Sequence, residues 1–452
     1  MPTLHLEQAL IDGRIAQNVS VTIRSGTFGM VVADSQPARG ATRISGLTLP
    51  GMPNLHSHAF QRGMAGLGEV RGTSDDSFWT WREVMYRFLD RLTPDDVAAI
   101  AAQAYIEMLE GGFTSVCEFH YLHHDTGGRP YADLAAMAAA IAQAAGETDI
   151  GLTLLPVLYR FGGFGAQAPG HGQRRFINDP DGFANLLAAS RKVVARLDDA
   201  VVGIAPHSLR AVAQSDLDLV CALAGSAPIH LHIAEQEKEV ADCLAWSGQR
   251  PVEWLKARME IGPQWCLIHA THLSPTERDA MAQNGAIAGL CPITEANLGD
   301  GIFDGVAFAE RGGHYGIGTD SNIQIGVASE LRQLEYSQRL RDRLRSRLAP
   351  VGGSVGVALC SAALKGGAQA SGRAIGAIAP GLRADLVTLD GDHPALVGRS
   401  GNELLDSAVF AASELPVREV RVGGKLVVSE GRHLHRDVVR QRFASVMRRV
   451  LS

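Results

Sequence analysis

The chain has 452 residues, 46% of them hydrophobic and 20% charged, with a formal net charge of −6. That length exceeds one ordinary domain unless the domain is a large α/β barrel with an appendage. The mild acidity leaves no electrostatic footprint for nucleic acid or an anionic membrane surface.

Six cysteines (Cys117, Cys221, Cys243, Cys266, Cys291 and Cys360) are scattered without a Cys-x-x-Cys pair. The opening Met1-Pro2-Thr3-Leu4-His5-Leu6-Glu7 has neither a basic nor an apolar leader region, and no apolar run is long enough to span a bilayer. A cytoplasmic protein with reduced thiols is therefore expected.

Residues 1–48 form the first part of a small β unit, with short runs such as Val19-Ser20-Val21-Thr22-Ile23 and Met30-Val31-Val32 punctuated by Gly13, Gly26 and Gly40. Next comes Leu49-Pro50-Gly51-Met52-Pro53-Asn54-Leu55-His56-Ser57-His58, a short strand ending in two histidines one residue apart. Side chains alternate across a strand, so His56 and His58 face the same side. Two imidazoles so placed can take adjacent corners of one tetrahedral metal ion. An irregular glycine-containing segment follows (61–68, opening with Gln61), then the aromatic stretch Phe78-Trp79-Thr80-Trp81-Arg82, which puts Arg82 in the loop region after this strand.

Thr93-Pro94-Asp95-Asp96 is a helix start, with Thr as N-cap, Pro in the first turn and acids at the positive end of the dipole. From there helical and apolar segments alternate. Counting from the strand at Leu55, further strands are predicted at 114–119, 150–157, 201–207, 229–232, 266–269, 286–291 and 315–320. Eight strands mostly followed by helices predict a (β/α)8 barrel over residues 49–370. Residues 371–452 return to short strands, with a hairpin at Gly423-Gly424 and a terminal amphipathic helix from 437 to 451. That helix carries arginines at 440, 442, 448 and 449, read as a solvated basic face. The C-terminal strands are expected to pack with residues 1–48 as one small β-sandwich built from both chain ends.

In such barrels chemistry sits at the C-terminal ends of strands. His56, His58, Glu118, His207, His232, His269 and Asp320 all fall there. His230-Leu231-His232 is a second His-x-His pair; either ring could be a ligand, and His232 is preferred because it lies nearer the strand end and Glu235. His56, His58, His232 and Asp320 would form one site for a divalent ion, best suited to zinc, although iron or manganese also fits. An ion so held lowers the pKa of a bound water toward ~7. Asp320 would take that water's proton, Glu235 would shuttle one to a leaving nitrogen, and His269 would orient the nucleophile or polarise the carbon–nitrogen bond.

Several segments carry a resemblance: Pro50-Gly51-Met52-Pro53-Asn54-Leu55-His56-Ser57-His58, Ala205-Pro206-His207-Ser208, His232-Ile233-Ala234-Glu235, His269-Ala270-Thr271-His272, Gly318-Thr319-Asp320-Ser321 and Ala379-Pro380-Gly381-Leu382-Arg383-Ala384-Asp385. Over nearly its whole length the chain resembles the amidohydrolase superfamily, and its His-x-x-Glu resembles the mononuclear deaminase branch. Two-metal relatives bridge their ions with a lysine of a central strand. Residues 201–207 contain none, so one metal per chain is expected.

Within that branch the chain is similar to the family of formimidoylglutamate deiminases of bacterial histidine breakdown, through His58-Ala59-Phe60-Gln61-Arg62, Phe78-Trp79-Thr80-Trp81-Arg82, Glu118-Phe119-His120-Tyr121, Ala205-Pro206-His207-Ser208-Leu209-Arg210 and the segment 291–301. The resemblance implies a dicarboxylate amidine substrate and a homodimer. Two carboxylates call for guanidinium partners, for which Arg82 and Arg210 are placed, while Gln61, Tyr121 and His207 could add neutral or shared hydrogen bonds. The alternatives are a ring deaminase or chlorohydrolase acting on a purine, pyrimidine or s-triazine, and a non-catalytic scaffold barrel. The complete donor set argues against the scaffold.

Overall fold

At Gly51 the predicted histidine strand divides into two strands that serve different sheets. A computed structural model describes residues 2–71 and 78–452. Its N-terminal strands are β1 (Thr3–Ile11), β2 (Arg14–Arg24), β3 (Thr27–Val32) and β4 (Thr42–Pro50), and the barrel opens with β5 (Met52–Ser57). A Cβ on Gly51 would sit 2.1 Å from the Thr114 hydroxyl, so only glycine lets the chain pass from one sheet to the other here.

In the barrel β5 pairs in parallel with β6 (Phe113–His120), β6 with β7 (Gly151–Leu158), and β7 with the short β8 (Val201–Val202) and β9 (Ala205–Pro206). A second parallel run joins β10 (Ile229–Ile233), β11 (Trp265–His269), β12 (Ile287–Leu290) and β13 (His314–Ile317). Single parallel bridges connect the two runs, Ile204 with Ile229 and Ser208 with His232 on one side and Ser57 with Asp320 on the other. With β8 and β9 sharing one position, this is the expected (β/α)8 arrangement.

The chain ends meet in one eight-stranded sheet completed by β14 (Leu386–Leu389), β15 (Val417–Val422), β16 (Lys425–Ser429) and β17 (Arg432–His433). β14 lies antiparallel to β4 and so joins the C-terminal half to the N-terminal half, while β1 and β4 run parallel. Thr27 of β3 also bridges to Arg383 ahead of β14, and Leu6, Val21, Phe28 and Leu386 are buried in a core separate from that of the barrel. The β15–β16 hairpin turns on Gly423 and Gly424 at φ +55° and +79°, the left-handed pair a two-residue turn requires.

Helix α1 (Phe78–Leu89) is followed by α2 (Pro94–Glu110), where Thr93 and Asp96 form a reciprocal capping box. Arg82 therefore sits on a helix rather than in a loop: Met85, Phe88 and Leu89 of α1 are buried, and that burial holds the stretch helical. The terminal helix Arg436–Leu451 is only partly a solvated face. Arg442 pairs with Glu147 at 2.6 Å and Arg449 with Asp96, because the helix lies beside α2, which carries Asp96, and within reach of Glu147 near the end of the helix Ala136–Thr148. Among the described residues no helix is long and apolar enough to cross a membrane.

Candidate active site

The last strand and β5 are held in register by buried side-chain amides. Asn54 donates to the Thr319 hydroxyl at 2.7 Å and accepts from the Thr319 N–H at 3.1 Å. Asn322 accepts from the Thr319 hydroxyl at 2.6 Å and donates to the His58 carbonyl at 3.1 Å. This network fixes where His56, His58 and Asp320 emerge.

One donor atom from each of His56, His58, His232 and Asp320 lies within 4.8 Å of all the others, and all four residues are buried. Asp320 Oδ1 stands 3.3 Å from His56 Nε2 and 3.2 Å from His58 Nε2, while His56 Nε2 and His232 Nε2 face each other at 3.1 Å. Burial pushes the His56 pKa down to about 3 and that of His232 well below its ordinary value. Burial alone would raise the Asp320 pKa, but the contacts from His56 and His58 hold the carboxyl well below the usual range.

The tautomers follow from the neighbours. His58 Nδ1 donates to the Phe119 carbonyl at 2.8 Å and His232 Nδ1 to the His207 carbonyl at 3.0 Å. A neutral imidazole has one N–H, so both of these rings turn Nε2 lone pairs inward. Lone pairs and a carboxylate packed this closely repel one another unless a cation sits among them, and carbonyl-oriented imidazoles are the usual support for a metal ligand. Three nitrogens and one carboxylate oxygen suit a divalent cation.

His230 takes another path: its Nε2 bonds to the Ala370 carbonyl at 2.8 Å, and burial lowers its pKa to about 4. Glu118 likewise stands outside the donor set. It accepts from the Ala59 N–H at 2.6 Å and the Tyr105 hydroxyl at 3.2 Å, bracing the turn after His58.

Beside the cluster, His269 is ringed by carboxylates: Nε2 lies 3.8 Å from Glu235 and 3.9 Å from Asp320, and Nδ1 lies 3.3 Å from Glu295. Burial disfavours its charged form, yet Glu235, Glu295 and Asp320 together outweigh that and raise its pKa to about 10. Burial raises the Glu235 pKa, and Arg210 Nη2 stands 3.8 Å from its other oxygen. The backbone is strained at these points. Ala234, His269, Ala270 and Asp320 have φ between +43° and +66°, a conformation of order 1–3 kcal/mol per residue that clusters at active sites.

A pocket opens over both groups and is lined by all five residues expected to contact substrate. Gln61, on the turn Ala59–Met64, donates to the Tyr121 hydroxyl at 2.8 Å. His207 is held neutral by burial and by the charge of Arg210. The Arg82 guanidinium lies 4.6 Å over the Trp79 ring, and that of Arg210 lies 5.5 Å over it. Among the described residues the buried Nε of each arginine donates no hydrogen bond, which leaves these donors for an anion.

Sequence reasoning assigned no role to Glu295, which receives the Cys291 N–H at 2.8 Å and anchors the far side of His269. It also missed Arg175. This buried guanidinium forms no ion pair among the described residues and donates to the carbonyls of Leu89, Leu92 at 2.9 Å and His124 at 3.0 Å. It thereby ties the end of α1 to the loop beyond β6. The contact of Glu295 with His269 and those of Arg175 carry no local signal, because the fold brings these partners together.

Residues 47–427 match the model of the amidohydrolase family. The chain is 49% identical over 456 residues to a formimidoylglutamate deiminase from Pseudomonas aeruginosa, covering 100% of each chain. The crystal structure of an amidohydrolase from Brucella melitensis superposes with a TM-score of 0.96 at 49% identity, again over 100% of each chain. An adenosine deaminase from Xanthomonas campestris with bound zinc superposes at 0.82 and 21% identity, covering 99% of this chain and 98% of that one; at that identity the likeness concerns the fold alone.

Proposed function

The chain belongs to the amidohydrolase family, and we propose that it is a metal-dependent hydrolase that converts N-formimidoyl-L-glutamate and water to N-formyl-L-glutamate and ammonia. The observation that carries this reading is one pocket lined by three of the four donors, His58, His232 and Asp320, and by two guanidiniums whose Nε groups donate no hydrogen bond among the described residues. A substrate with an amidine at one end and two carboxylates at the other matches that polarity. The full-length likeness to a formimidoylglutamate deiminase supports the same substrate.

His56, His58, His232 and Asp320 would hold one divalent ion, zinc being the best match to three imidazoles and a carboxylate. When bound, such an ion supplies a Lewis acid and an acidified water. Asp320, held ionised, accepts the proton of the attacking water. Glu235, buried and with a raised pKa, carries a proton to the departing nitrogen. His269, kept protonated by its three carboxylates, donates at Nε2 to the reacting centre and stays oriented by Glu295. A carbon–oxygen bond forms, the carbon–nitrogen bond breaks and ammonia leaves. Arg82 and Arg210 take the two carboxylates, while Gln61, Tyr121 and His207 orient the formimidoyl arm.

Six free thiols, five of them buried, support a reducing, cytoplasmic home, and the family likeness supports a homodimer working in histidine breakdown. The test is ammonia release from N-formimidoyl-L-glutamate by metal-loaded protein; release no faster than from chelated protein would sink the proposal. The aromatic lining of the pocket (Phe78, Trp81, Tyr86, Tyr121, Tyr159 and Phe176) favours a second reading, a deaminase of flat rings. Faster turnover of guanine or cytosine than of the amidine would select it.

A further inference from the structure

We propose that a second cation site, built from His269, Cys291 and Asp320, takes a soft divalent ion and thereby stops the enzyme. The two oxygens of Asp320 face different groups. Oδ1 lies 3.3 and 3.2 Å from His56 and His58, whereas Oδ2 lies 3.9 Å from His269 Nε2. A ring nitrogen of His269, the Cys291 thiol and a carboxylate oxygen of Asp320 all lie within 4.8 Å of one another, and all three residues are buried. They come from consecutive positions around the barrel: the end of β11, the residue after β12 and the segment after β13.

Local charge favours an additional cation. Glu235, Glu295 and Asp320 each approach the His269 ring within 4 Å, so three carboxylates share one imidazole. Among the described residues the Cys291 sulfur takes no hydrogen bond; only its backbone is engaged, the N–H donating to the Glu295 carboxylate at 2.8 Å and the carbonyl accepting from the Glu295 N–H at 2.9 Å. The sulfur distinguishes this set from the first, whose donors are nitrogen and oxygen alone. Thiolate ligands select soft ions such as Cd²⁺ and Zn²⁺ over Mg²⁺ or Mn²⁺. Binding removes the thiol proton and the proton on the ligating ring nitrogen, so two protons go to solvent for each ion bound. Asp320 would be the group shared by the two ions, a task for which the strand pair β8–β9 offers no lysine.

An ion held here occupies His269 and the second oxygen of Asp320. The loss of turnover rests on the roles proposed for those residues above, whereas binding of the ion does not. Cd²⁺ alone is the probe, titrated into the metal-loaded protein. A second equivalent should bind, the ultraviolet thiolate-to-cadmium charge-transfer band should grow with it, and turnover should fall in parallel.

In Cys291→Ala the first ion and the basal turnover should remain, the second equivalent and the band should vanish, and the apparent inhibition constant should rise by roughly tenfold or more. Cys291→Ser, whose hydroxyl gives no such band, replaces it if the alanine variant fails to fold. Cys266→Ala, at a buried thiol of the same small cluster, should keep band and inhibition alike. Absence of the band in the wild-type protein, its survival in Cys291→Ala or its loss in Cys266→Ala would overturn the site. A full band with turnover intact would overturn the inhibition and leave the deiminase reading standing on its own assay.

Discussion

Two His-x-His pairs lie on strands of one barrel, yet they deliver different numbers of rings to the donor cluster. Both His56 and His58 reach it, whereas of His230 and His232 only the second does. Alternation puts each pair on one face, but residues two apart in a strand are about 6.6 Å apart along it. β10 runs on to Ile233, so both of its histidines stay in the strand and His230 is left one step short, bonded to the Ala370 carbonyl. β5 ends at Ser57, and His58 already belongs to the following turn at φ −118° and ψ 83°, which curls its ring back toward that of His56. The side of a strand is set by parity, but reach is set by where the strand stops.

The largest expected effect breaks or upholds that contrast directly. His58→Ala or His232→Ala should lose the metal and cut turnover by more than the ~10–100-fold typical of removing an outer-shell partner. His230→Ala should keep the ion, as metal analysis of the purified variants would register. An ion lost from His230→Ala would erase the distinction between the pairs.

Glu235→Gln comes next. With all four donors intact it should bind metal normally while kcat falls by about 10²–10⁴-fold, the usual worth of a positioned acid–base group. Arg82→Met and Arg210→Met should each lower kcat/KM by roughly 10–100-fold, from about 1.5–3 kcal/mol per charged hydrogen bond. Arg82→Lys should recover little of this, because an ammonium lacks the planar fork.

Smaller effects belong to the ring that stays outside. His230→Ala should cost about 1–3 kcal/mol in urea unfolding by leaving the buried Ala370 carbonyl unpaired. Its pH signature follows from burial. The folded pKa of about 4 lies below the ordinary 6.5, so below 6.5 the unfolded chain binds the extra proton and stability falls toward pH 4. The slope from this one ring is at most about 1.4 kcal/mol per pH unit, and His230→Ala should flatten the wild-type curve by that amount. An unchanged slope would mean that His230 is not held neutral.

Much of this architecture was legible in the chain because its signals are local. Apolar runs at regular spacing marked the eight barrel positions, and polar residues at their ends picked out His56, His58, His232, His269 and Asp320 before any geometry was known. Thr93 and Asp96 announced the start of α2, and Gly423-Gly424 the hairpin. Other features were not legible. Arg82 was expected in a loop, because a stretch rich in aromatics looks irregular until Met85, Phe88 and Leu89 have a core to face. The terminal arginines looked solvated because Asp96 and Glu147, which pair with Arg449 and Arg442, lie far away in sequence.

By itself, then, the sequence determined which residues could do chemistry and on which side of a strand each would stand, since periodicity and side-chain type are properties of neighbours. Tertiary structure alone decided which of the candidates meet. Closure of the barrel brings Asp320 to His56 across more than half the chain, Asn54 and Asn322 lock that junction, Glu295 meets His269, and Arg175 meets carbonyls that no nearby residue specifies. The reason is physical: a metal cluster or a buried guanidinium is defined by distances of a few ångströms, and those distances arise only once the sheet has closed.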